Sequence, residues 1–373
     1  MVTSQAELPR RCDVVVVGGG IAGLSAAYCL ARDGRAVVVA EQEAQLALHT
    51  TGRSAAMFLE HYGGPVNQRL TTASRPFLQA PPEGLCDHPV LTPRPFLTFA
   101  RPGEEQLLAD EVASVGVLAE VERLDAADTR TLAPYLRTDA VVGGMLEPGA
   151  QDIDVMGLHQ GFVRGARAAG AVLARSAGVR SIAPASGARW RVVTDAGAIE
   201  TDVVVDAAGA WGDAVAVLAG VRPVGLRPLR RTAFTVTVPP IPSEGPMVNT
   251  IGPGYYAKPE SGGLMLCSPA DETLSEPCDA RPEEIDVARA LDAMEATTTL
   301  DARHVTRAWA GLRTFAPDRD PVIGWDDRVE GFCWMVGQGG TGIQTAPAAG
   351  ELVAAVVAGV ADGPTDLGPA RLR

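Results

Sequence analysis

Residues 12–60 alternate between two apolar patterns that predict strands and helices in succession. Asp13–Val17 and Ala36–Ala40 are short runs of β-branched residues, typical of buried parallel strands. Between them lies Ile21–Arg32, an alanine-rich segment that stops before Gly34, as helices commonly do. This order predicts a βαβ unit at the start of the chain.

Two later regions repeat the same texture. In residues 152–222 the pattern predicts a helix at Leu158–Ala169, a strand at Ala171–Leu173, a hairpin around Asp195–Gly197 and a buried strand at Asp202–Asp206. In residues 320–361 a glycine-rich loop precedes a predicted helix, Ala346–Val360. We expect the tail after Asp362 to fray, as termini often do.

The segments between these regions are different. Residues 75–148 are rich in proline, and residues 223–315 contain an alternating strand, Phe234–Val238, and a predicted helix, Pro282–Ala296. They favour a second domain built on an antiparallel sheet. The predicted fold is therefore α/β with two domains. Residues 1–80, 145–222 and 316–373 form a discontinuous Rossmann-like nucleotide-binding domain, and residues 81–144 and 223–315 form an inserted substrate-binding domain.

Length and charge narrow the functional classes. The chain has 373 residues, of which 46% are hydrophobic, and its formal net charge is −13. An acidic surface argues against nucleic acid or an anionic membrane as a partner. The first seven residues lack the order of a signal peptide, and no apolar run approaches the roughly 20 residues that span a bilayer. We therefore expect no membrane span and a cytoplasmic location.

The six cysteines disfavour three kinds of site. No two of them have the CxxC or CxxxxC spacing. A disulfide scaffold, a zinc site and a dithiol redox centre are all disfavoured for that reason. We expect no metal in the active site.

The turn after the first strand carries a nucleotide-binding pattern. Glycines at 18, 20 and 23 fit GxGxxG between a strand and a helix, and Glu41 ends the second strand near the usual spacing of about 20 residues. Gly18 permits a tight turn, Gly20 lets the backbone approach a pyrophosphate, and Gly23 lets helix and strand pack closely. Glu41 would accept hydrogen bonds from a ribose diol.

Two further loops favour FAD over NAD. The small-residue loop His49–Ala56 follows Glu41 closely, and the loop Gly337–Ile343 opens a helix whose dipole would stabilise a reduced flavin. No cysteine or histidine falls at an obvious linkage position, so we expect FAD to be bound non-covalently. The residues predicted at the cofactor from these patterns are Gly18, Gly20, Ile21, Ala22, Gly23, Glu41, Gln42, His49, Thr50, Thr51, Gly52, Arg53, Ser54, Ala55, Ala56, Gly339, Gly340, Thr341, Gly342 and Ile343.

Five motifs occurring in order carry a family resemblance. They are the fingerprint, the loop Thr51–Ala56, Ala207–Trp211, Trp309–Arg313 and the loop Gln338–Gln344. Over about residues 12–350 the chain resembles the D-amino-acid oxidase family of FAD enzymes, and within it the bacterial enzymes that oxidise D-arginine. The resemblance adds Val179, Ala208, Gly209 and Trp211 to the expected cofactor contacts.

The resemblance also implies a substrate site. Family residues that bind the substrate carboxylate match Arg231, Tyr256 and Arg313, with Tyr62 nearby on the active-site loop. Two guanidinium groups can hold a carboxylate through charge-assisted hydrogen bonds. Structural alternatives exist for each residue: a surface arginine at 231, a structural salt bridge at 313, a core aromatic at 256 and a lid residue without contact at 62.

Two positions depart from the arginine-oxidising pattern. An acidic residue that pairs with the cationic substrate side chain falls where Phe96 stands, and a histidine of the active-site loop falls where Met57 stands. A buried guanidinium placed against two apolar side chains would lack its ionic partner. We therefore expect a D-amino acid with a neutral, apolar side chain, and Met57 and Phe96 in its side-chain pocket.

The expected reaction is oxidative deamination by hydride transfer to flavin N5, giving an imino acid that hydrolyses to a 2-oxo acid and ammonia. Oxygen or a quinone would reoxidise the flavin. His49 and His61 are candidates for a general base by location only. Alternatives are oxidation of glycine, sarcosine or a 2-hydroxy acid, and an FAD-carrying biosynthetic or binding protein with a larger substrate.

Overall fold

The structure is a computed structural model that describes residues 8–302, 304–360 and 364–373. The interpretation that residues 1–7 are not a signal peptide concerns positions outside the described residues. Among the described helices, none combines the length and apolarity needed to cross a membrane.

The described residues form eight α-helices and twenty strands. The helices are α1 (Ile21–Arg32), α2 (Pro65–Gln79), α3 (Glu105–Val115), α4 (Ala126–Leu132), α5 (Val155–Ala168), α6 (Gly212–Leu218), α7 (Glu284–Thr297) and α8 (Gly342–Val357). The strands are β1 (Arg11–Val17), β2 (Val37–Ala40), β3 (Met57–Phe58), β4 (Leu91–Pro93), β5 (Phe96–Ala100), β6 (Glu122–Asp125), β7 (Gly143–Glu147), β8 (Gln151–Ile153), β9 (Val172–Ala174), β10 (Val179–Pro184), β11 (Trp190–Thr194), β12 (Gly197–Asp206), β13 (Arg227–Thr237), β14 (Met247–Thr250), β15 (Tyr256–Glu260), β16 (Leu264–Ser268), β17 (Thr273–Leu274), β18 (Val305–Phe315), β19 (Val322–Trp325) and β20 (Phe332–Val336).

The first sheet has eight strands in the order β10-β11-β12-β1-β2-β9, with β20 beside β12 and β19 beside β20. Its centre is parallel, because β1 pairs in parallel with both β12 and β2. Helices α1, α5 and α8 pack together in the largest apolar cluster, against one face of this sheet. These features confirm the predicted Rossmann-like unit.

The second sheet has nine strands in the order β17-β13-β16-β15-β14-β5-β7-β6, with β18 beside β13. Its described pairs are antiparallel except for β14 with β5. It draws strands from both inserted segments, which confirms the predicted antiparallel sheet. The division into two domains stays a prediction, and its boundary at residue 145 falls inside β7, a strand of this second sheet.

Strand alternation places neighbouring residues on opposite faces of the second sheet. Arg230 turns toward α7, where its guanidinium contacts Asp286 at 2.9 Å, while Arg231 turns to the other face. In the same way the side chain of Tyr255 enters the core, where its hydroxyl forms a hydrogen bond with the Thr297 hydroxyl, while Tyr256 faces away from that core. The face that carries Arg231 and Tyr256 is therefore the one available for a site.

Several element boundaries differ from the sequence predictions. Helix α5 begins at Val155 rather than Leu158, because the side chain of Asp154 caps it by accepting from the Gly157 N–H. Helix α8 begins at Gly342, four residues before the predicted start. The small sheet β3-β8-β4 was not predicted, since its strands have only two or three residues.

The prediction that the tail frays is wrong for residues 364–373. Arg371 donates to Asp318 at 2.7 Å, and Arg373 contacts Asp326 at 2.6 Å. The side chains of Arg373 and Asp326 are 4% and 0% exposed. A buried ion pair of this kind anchors the tail to the β19–β20 hairpin, which a composition pattern does not reveal.

Candidate active site

A cavity of about 540 Å³ runs from the turn after β1 to the inner face of the second sheet. At one end it is lined by Gly18, Gly19, Gly20 and most of residues 40–55, and at the other by residues of β13, β15, β18 and the loop before α8. This volume lies within the range of about 300–1,000 Å³ usual for ligand sites.

The fingerprint turn has the geometry its glycines predict. Gly18 has a φ of +108°, a conformation that favours glycine. A Cβ on Gly23 would lie 1.9 Å from the Gly18 carbonyl oxygen, so the helix could not approach the strand with a larger residue there. A Cβ on Gly20 would meet only the Thr51 hydroxyl, at 3.2 Å. The backbone at Gly20 therefore remains open to the cavity.

Glu41 is tied to the backbone through both carboxylate oxygens. Oε2 accepts from Gly19 N–H at 2.7 Å and Oε1 from Glu43 N–H at 2.8 Å. Burial raises the pKa of Glu41. The carboxylate lines the cavity in a fixed orientation, and each oxygen keeps a lone pair for a further donor.

His159 supports the backbone of the fingerprint turn, and no sequence pattern indicated this role. Its side chain is 0% exposed, and Nε2 donates to the Gly19 carbonyl at 3.0 Å. Burial lowers the pKa of the imidazole, so the neutral form with the proton on Nε2 is favoured. No sequence pattern distinguishes a helical histidine that supports a binding turn from one that is merely buried in the core.

The loop of residues 49–55 is held mainly by protein contacts. Thr51 Oγ1 accepts from Ile21 N–H at 3.0 Å, which satisfies one of the free donors at the start of α1. Thr50 donates to the Leu312 carbonyl at 2.8 Å. Arg53 donates to the carbonyls of Ala280 and Ala310, both at 2.9 Å. Although these three side chains line the cavity, their polar atoms tie the loop to the start of α1, to β18 and to Ala280.

His49 also has a protein partner. Its Nε2 lies 3.0 Å from a Glu43 carboxylate oxygen, and its ring lies 4.8 Å from the Trp211 ring, centroid to centroid. Both rings line the cavity. This arrangement orients His49 within the cavity wall and leaves its suggested role as a base a prediction.

Most predicted cofactor residues line the cavity: Gly18, Gly20, Ile21, Ala22, Glu41, Gln42, His49, Thr50, Thr51, Arg53, Ser54, Ala55, Val179, Ala208, Gly209, Trp211, Gly339, Gly340, Gly342 and Ile343. Gly23, Gly52, Ala56 and Thr341 do not, and they lie behind it. Thr341, for example, donates to buried Asn67 at 2.7 Å. Lining residues that sequence reasoning missed include Leu48, Gly178, Arg180 and Asp195, which lie in loops or an exposed hairpin without a motif.

The predicted substrate residues Arg231, Tyr256 and Arg313 meet at the far end of the cavity. The Arg231 side chain is 13% exposed, which excludes a surface role, and it donates to the Asp271 carbonyl at 2.8 Å and to Glu272 at 3.2 Å. Burial and the charge of Arg313 lower the pKa of Arg231. Two cations therefore face the same space.

Arg313 has no carboxylate within ion-pair distance in the described part of the chain, so the salt-bridge alternative is not realised there. Its guanidinium makes one hydrogen bond, to Tyr62 Oη at 3.0 Å. A Cβ on Gly340 would lie 3.0 Å from Nη1 of Arg313, so the loop before α8 packs directly against this cation. The remaining N–H groups of Arg313 are available to a ligand.

Met57 and Phe96 lie close to the substrate end but behind its wall. They belong to an apolar cluster with Leu59, Tyr256 and Leu266. Neither of them lines the cavity, whereas Tyr256 does. The surroundings of Tyr256 are thus apolar on the side that the sequence predicted.

Comparison with known proteins places the chain in a family. A family model described as "FAD dependent oxidoreductase" (DAO) matches residues 13–356. Dimethylglycine dehydrogenase from mouse mitochondria is 24% identical over 94% of the chain, which spans 43% of the length of that relative. Glycine oxidase from Bacillus licheniformis is 24% identical, with 94% of each chain covered. The crystal structure of L-proline dehydrogenase from P. horikoshii matches with a TM-score of 0.84 at 22% identity, covering 98% of each chain.

The chain belongs to the DAO family of FAD-dependent oxidoreductases. This confirms the resemblance at the level of the family and of the cofactor, while the finer likeness to D-arginine-oxidising members stays a prediction. The site fits FAD. The open backbone at Gly20 and the N-terminus of α1 suit a pyrophosphate, and the cavity continues from there to the loop before α8.

We expect Gly20→Ala to weaken FAD binding without unfolding the protein, because the new Cβ enters the space above the turn. The dissociation constant should rise at least about tenfold, equivalent to about 1.4 kcal/mol. FAD titration of apoprotein, followed by flavin fluorescence, measures it. Gly149→Ala is the matched control, since its Cβ would meet no atom within 4 Å. Equal affinities in both variants would contradict the assignment of the pyrophosphate to this turn.

We expect His159 to make stability depend on pH. Its folded pKa is lowered, so below the unfolded value of about 6.5 the unfolded chain binds a proton that the folded chain does not. The free energy of unfolding should therefore fall with decreasing pH, by up to about 1.4 kcal/mol per unit. Urea unfolding should be measured between roughly pH 5 and 8, on both sides of that unfolded value. The free energy of unfolding should depend less steeply on pH in His159→Gln than in the wild type. His88→Gln, at an exposed position, should keep the wild-type slope.

Proposed function

We propose that the protein oxidises the carbon–nitrogen bond of an amino acid whose carboxylate is held by Arg231 and Arg313. One observation carries this proposal. Arg313 lines the cavity without a carboxylate partner in the described chain, and it faces a second arginine. A bound carboxylate would relieve the repulsion between the two cations and accept charge-assisted hydrogen bonds from them.

Two tyrosines would complete this carboxylate site. Tyr256 lines the same end of the cavity, whereas Tyr62 does not line it in this structure and would join the site through its hydrogen bond with Arg313. Both phenols can donate to a carboxylate oxygen. Arginine orients the substrate as well as attracting it, because its planar fork fixes the direction of the bound group. The four side chains together would present the α-carbon toward the cofactor end of the cavity.

FAD supplies the redox chemistry, accepting the hydride that leaves the α-carbon. The imino acid product then hydrolyses to a 2-oxo acid and ammonia. The substrate amine has to lose a proton first. In the described chain the residues that line the substrate end (Arg231, Ala233, Tyr256, Arg313, Thr314 and Gln338) include no carboxylate or imidazole. We therefore propose that water takes this proton.

The cofactor residues predicted from sequence become part of this proposal. Gly20 and the start of α1 would hold the pyrophosphate, and Glu41 would accept from the ribose. Helix α8 would direct its N-terminus at the flavin, which would be bound non-covalently. The two-domain division, the reoxidation of FAD by oxygen or a quinone, and a cytoplasmic location likewise stay proposals.

The first candidate substrate is a D-amino acid with a neutral side chain. The cluster that contains Met57 and Phe96 would pack against an apolar group and offers no ionic partner to a cationic one. Glycine and N-methylated glycines are the second candidate. Neither Met57 nor Phe96 lines the cavity, so neither offers a direct contact to a long apolar side chain, and relatives named glycine oxidase and dimethylglycine dehydrogenase support this option.

Anaerobic titration of the holoenzyme separates the candidates. We expect bleaching of the flavin absorbance by neutral D-amino acids or by glycine and its N-methyl derivatives, with D-arginine far less effective. Faster reduction by D-arginine than by D-leucine or D-methionine would contradict the neutral pocket. If only 2-hydroxy acids reduce the flavin, the enzyme oxidises an alcohol and the proposed amine substrate is wrong. No reduction by any small substrate would favour a larger substrate.

Arg313→Lys tests the carboxylate site directly. Lysine keeps the charge but loses the fork, so kcat/KM should fall by about 10- to 150-fold, the range of a hydrogen bond to a charged group. Arg307→Lys is the matched control, because Arg307 lies on the same strand and is exposed. Steady-state kinetics with the best substrate of the titration measures both. Equal kcat/KM in the two variants would remove Arg313 from the site.

A further inference from the structure

The segment that carries Tyr62, residues 57–64, is here named the Tyr62 loop. It starts in the small sheet, where Met57 pairs with Asp152. Leu59 is held by the buried amide of Gln344, which accepts from its N–H at 3.0 Å and donates to its carbonyl at 3.2 Å. Gln68 donates to the carbonyls of His61 and Gly63, both at 2.9 Å. These contacts fix the backbone of the loop.

A side-chain contact of His61 ties the Tyr62 loop to β7 of the second sheet. Nδ1 of His61 lies 2.7 Å from Oε2 of Glu147, at the end of β7. The side chain of His61 is 12% exposed, and Glu147 as a residue is 3% exposed. Glu147 stands opposite Phe96 in the β5–β7 ladder. The contact therefore reaches the same sheet face as the apolar cluster beside Tyr256.

The chemistry of this pair is unusual for a purely structural contact. The other carboxylate oxygen of Glu147, Oε1, is buried and makes no hydrogen bond in the described chain, and Nδ1 of His61 makes none there either, so the 2.7 Å approach of the two residues is an electrostatic contact. Burying a carboxylate is costly unless a partner compensates it, and His61 is the partner present. Neither residue lines the cavity, so neither contacts a ligand there. The pair has to act through the loop it holds.

Tyr62 is the residue through which it would act. It follows His61 directly, and its hydroxyl makes the one hydrogen bond of the Arg313 guanidinium in the described structure. Gln68 holds the backbone on both sides of Tyr62, through the carbonyls of His61 and Gly63. The His61 side chain adds the contact that holds this turn against β7, next to the contact of the Tyr62 hydroxyl with Arg313.

We propose that Glu147 is a positioning residue for the substrate-carboxylate site, holding His61 and thereby keeping Tyr62 on Arg313. This inference rests on the proposed role of Arg313 in binding a carboxylate. It assigns a supporting function to a carboxylate at the end of β7, in the sheet that also carries Arg231, Tyr256 and Arg313 but remote in sequence from each residue of that site.

Propionate binding to the oxidised holoenzyme tests it without turnover, through the shift of the flavin absorbance. We expect Glu147→Gln to raise the dissociation constant of propionate about tenfold, the size of a typical coupling between contacting residues. FAD affinity should stay at the wild-type value. Glu104→Gln is the matched control, because Glu104 is a partly buried carboxylate paired with Arg101 just after the end of β5. This substitution should leave propionate binding unchanged.

A double-mutant cycle with Tyr62→Phe distinguishes positioning from general weakening. If Glu147 acts through Tyr62, Glu147→Gln has no further effect on propionate in the Tyr62→Phe background. Additive effects would overturn the inference. If Glu147→Gln does not fold, His61→Gln breaks the same contact from the loop side and should give the same tenfold change.

Arg313→Lys, measured with the same probe, separates the two levels of the argument. If Arg313→Lys weakens propionate binding and Glu147→Gln and His61→Gln do not, the inference is wrong while the proposed function stands. If Arg313→Lys leaves propionate binding unchanged, the proposed carboxylate site fails and the inference falls with it.

Discussion

The antiparallel pairing of β13 with β18 is the constraint on which the candidate site depends. In that ladder Arg231 stands opposite Gly311, and Arg313 stands two residues further along its own strand, opposite Leu229. Residues two apart share a face, so the register places both guanidinium groups on one side of the sheet. A slip of one residue would send one of them to the opposite face.

Two close cations need an environment that tolerates them. Arg231 is partly balanced by Glu272, which also binds Arg319 at 3.0 Å. Arg313 has no carboxylate within ion-pair distance in the described chain. It donates a hydrogen bond to Tyr62 and packs against the loop before α8. The imbalance is what makes this end of the cavity attractive to an anion. The acidic net charge of the whole chain says nothing about it, because local geometry decides the local field.

Buried polar contacts connect the loop before α8 with the Tyr62 loop and α2. Gln344, near the start of α8, bonds to Leu59 in the Tyr62 loop. Thr341, which precedes α8, bonds to Asn67 of α2. The start of α8 is therefore linked to both the Tyr62 loop and α2. Loss of one such bond would destabilise the folded protein, because it would leave a buried donor or acceptor without a partner. Cofactor end and substrate end are thereby held in one fixed relation.

The sequence by itself determined the local parts of this protein. The βαβ unit, the glycine turn, the FAD cofactor and the antiparallel second sheet follow from short-range patterns, since strands, helices and turns have characteristic periods and residues. It also pointed to Arg231, Tyr256 and Arg313 through a resemblance. Tertiary structure alone decided which of Arg230 and Arg231 faces the cavity, that His159 supports Gly19, that the tail is anchored by Arg373, and that Glu147 meets His61. Each of these depends on packing or pairing between segments distant along the chain, which no local pattern contains.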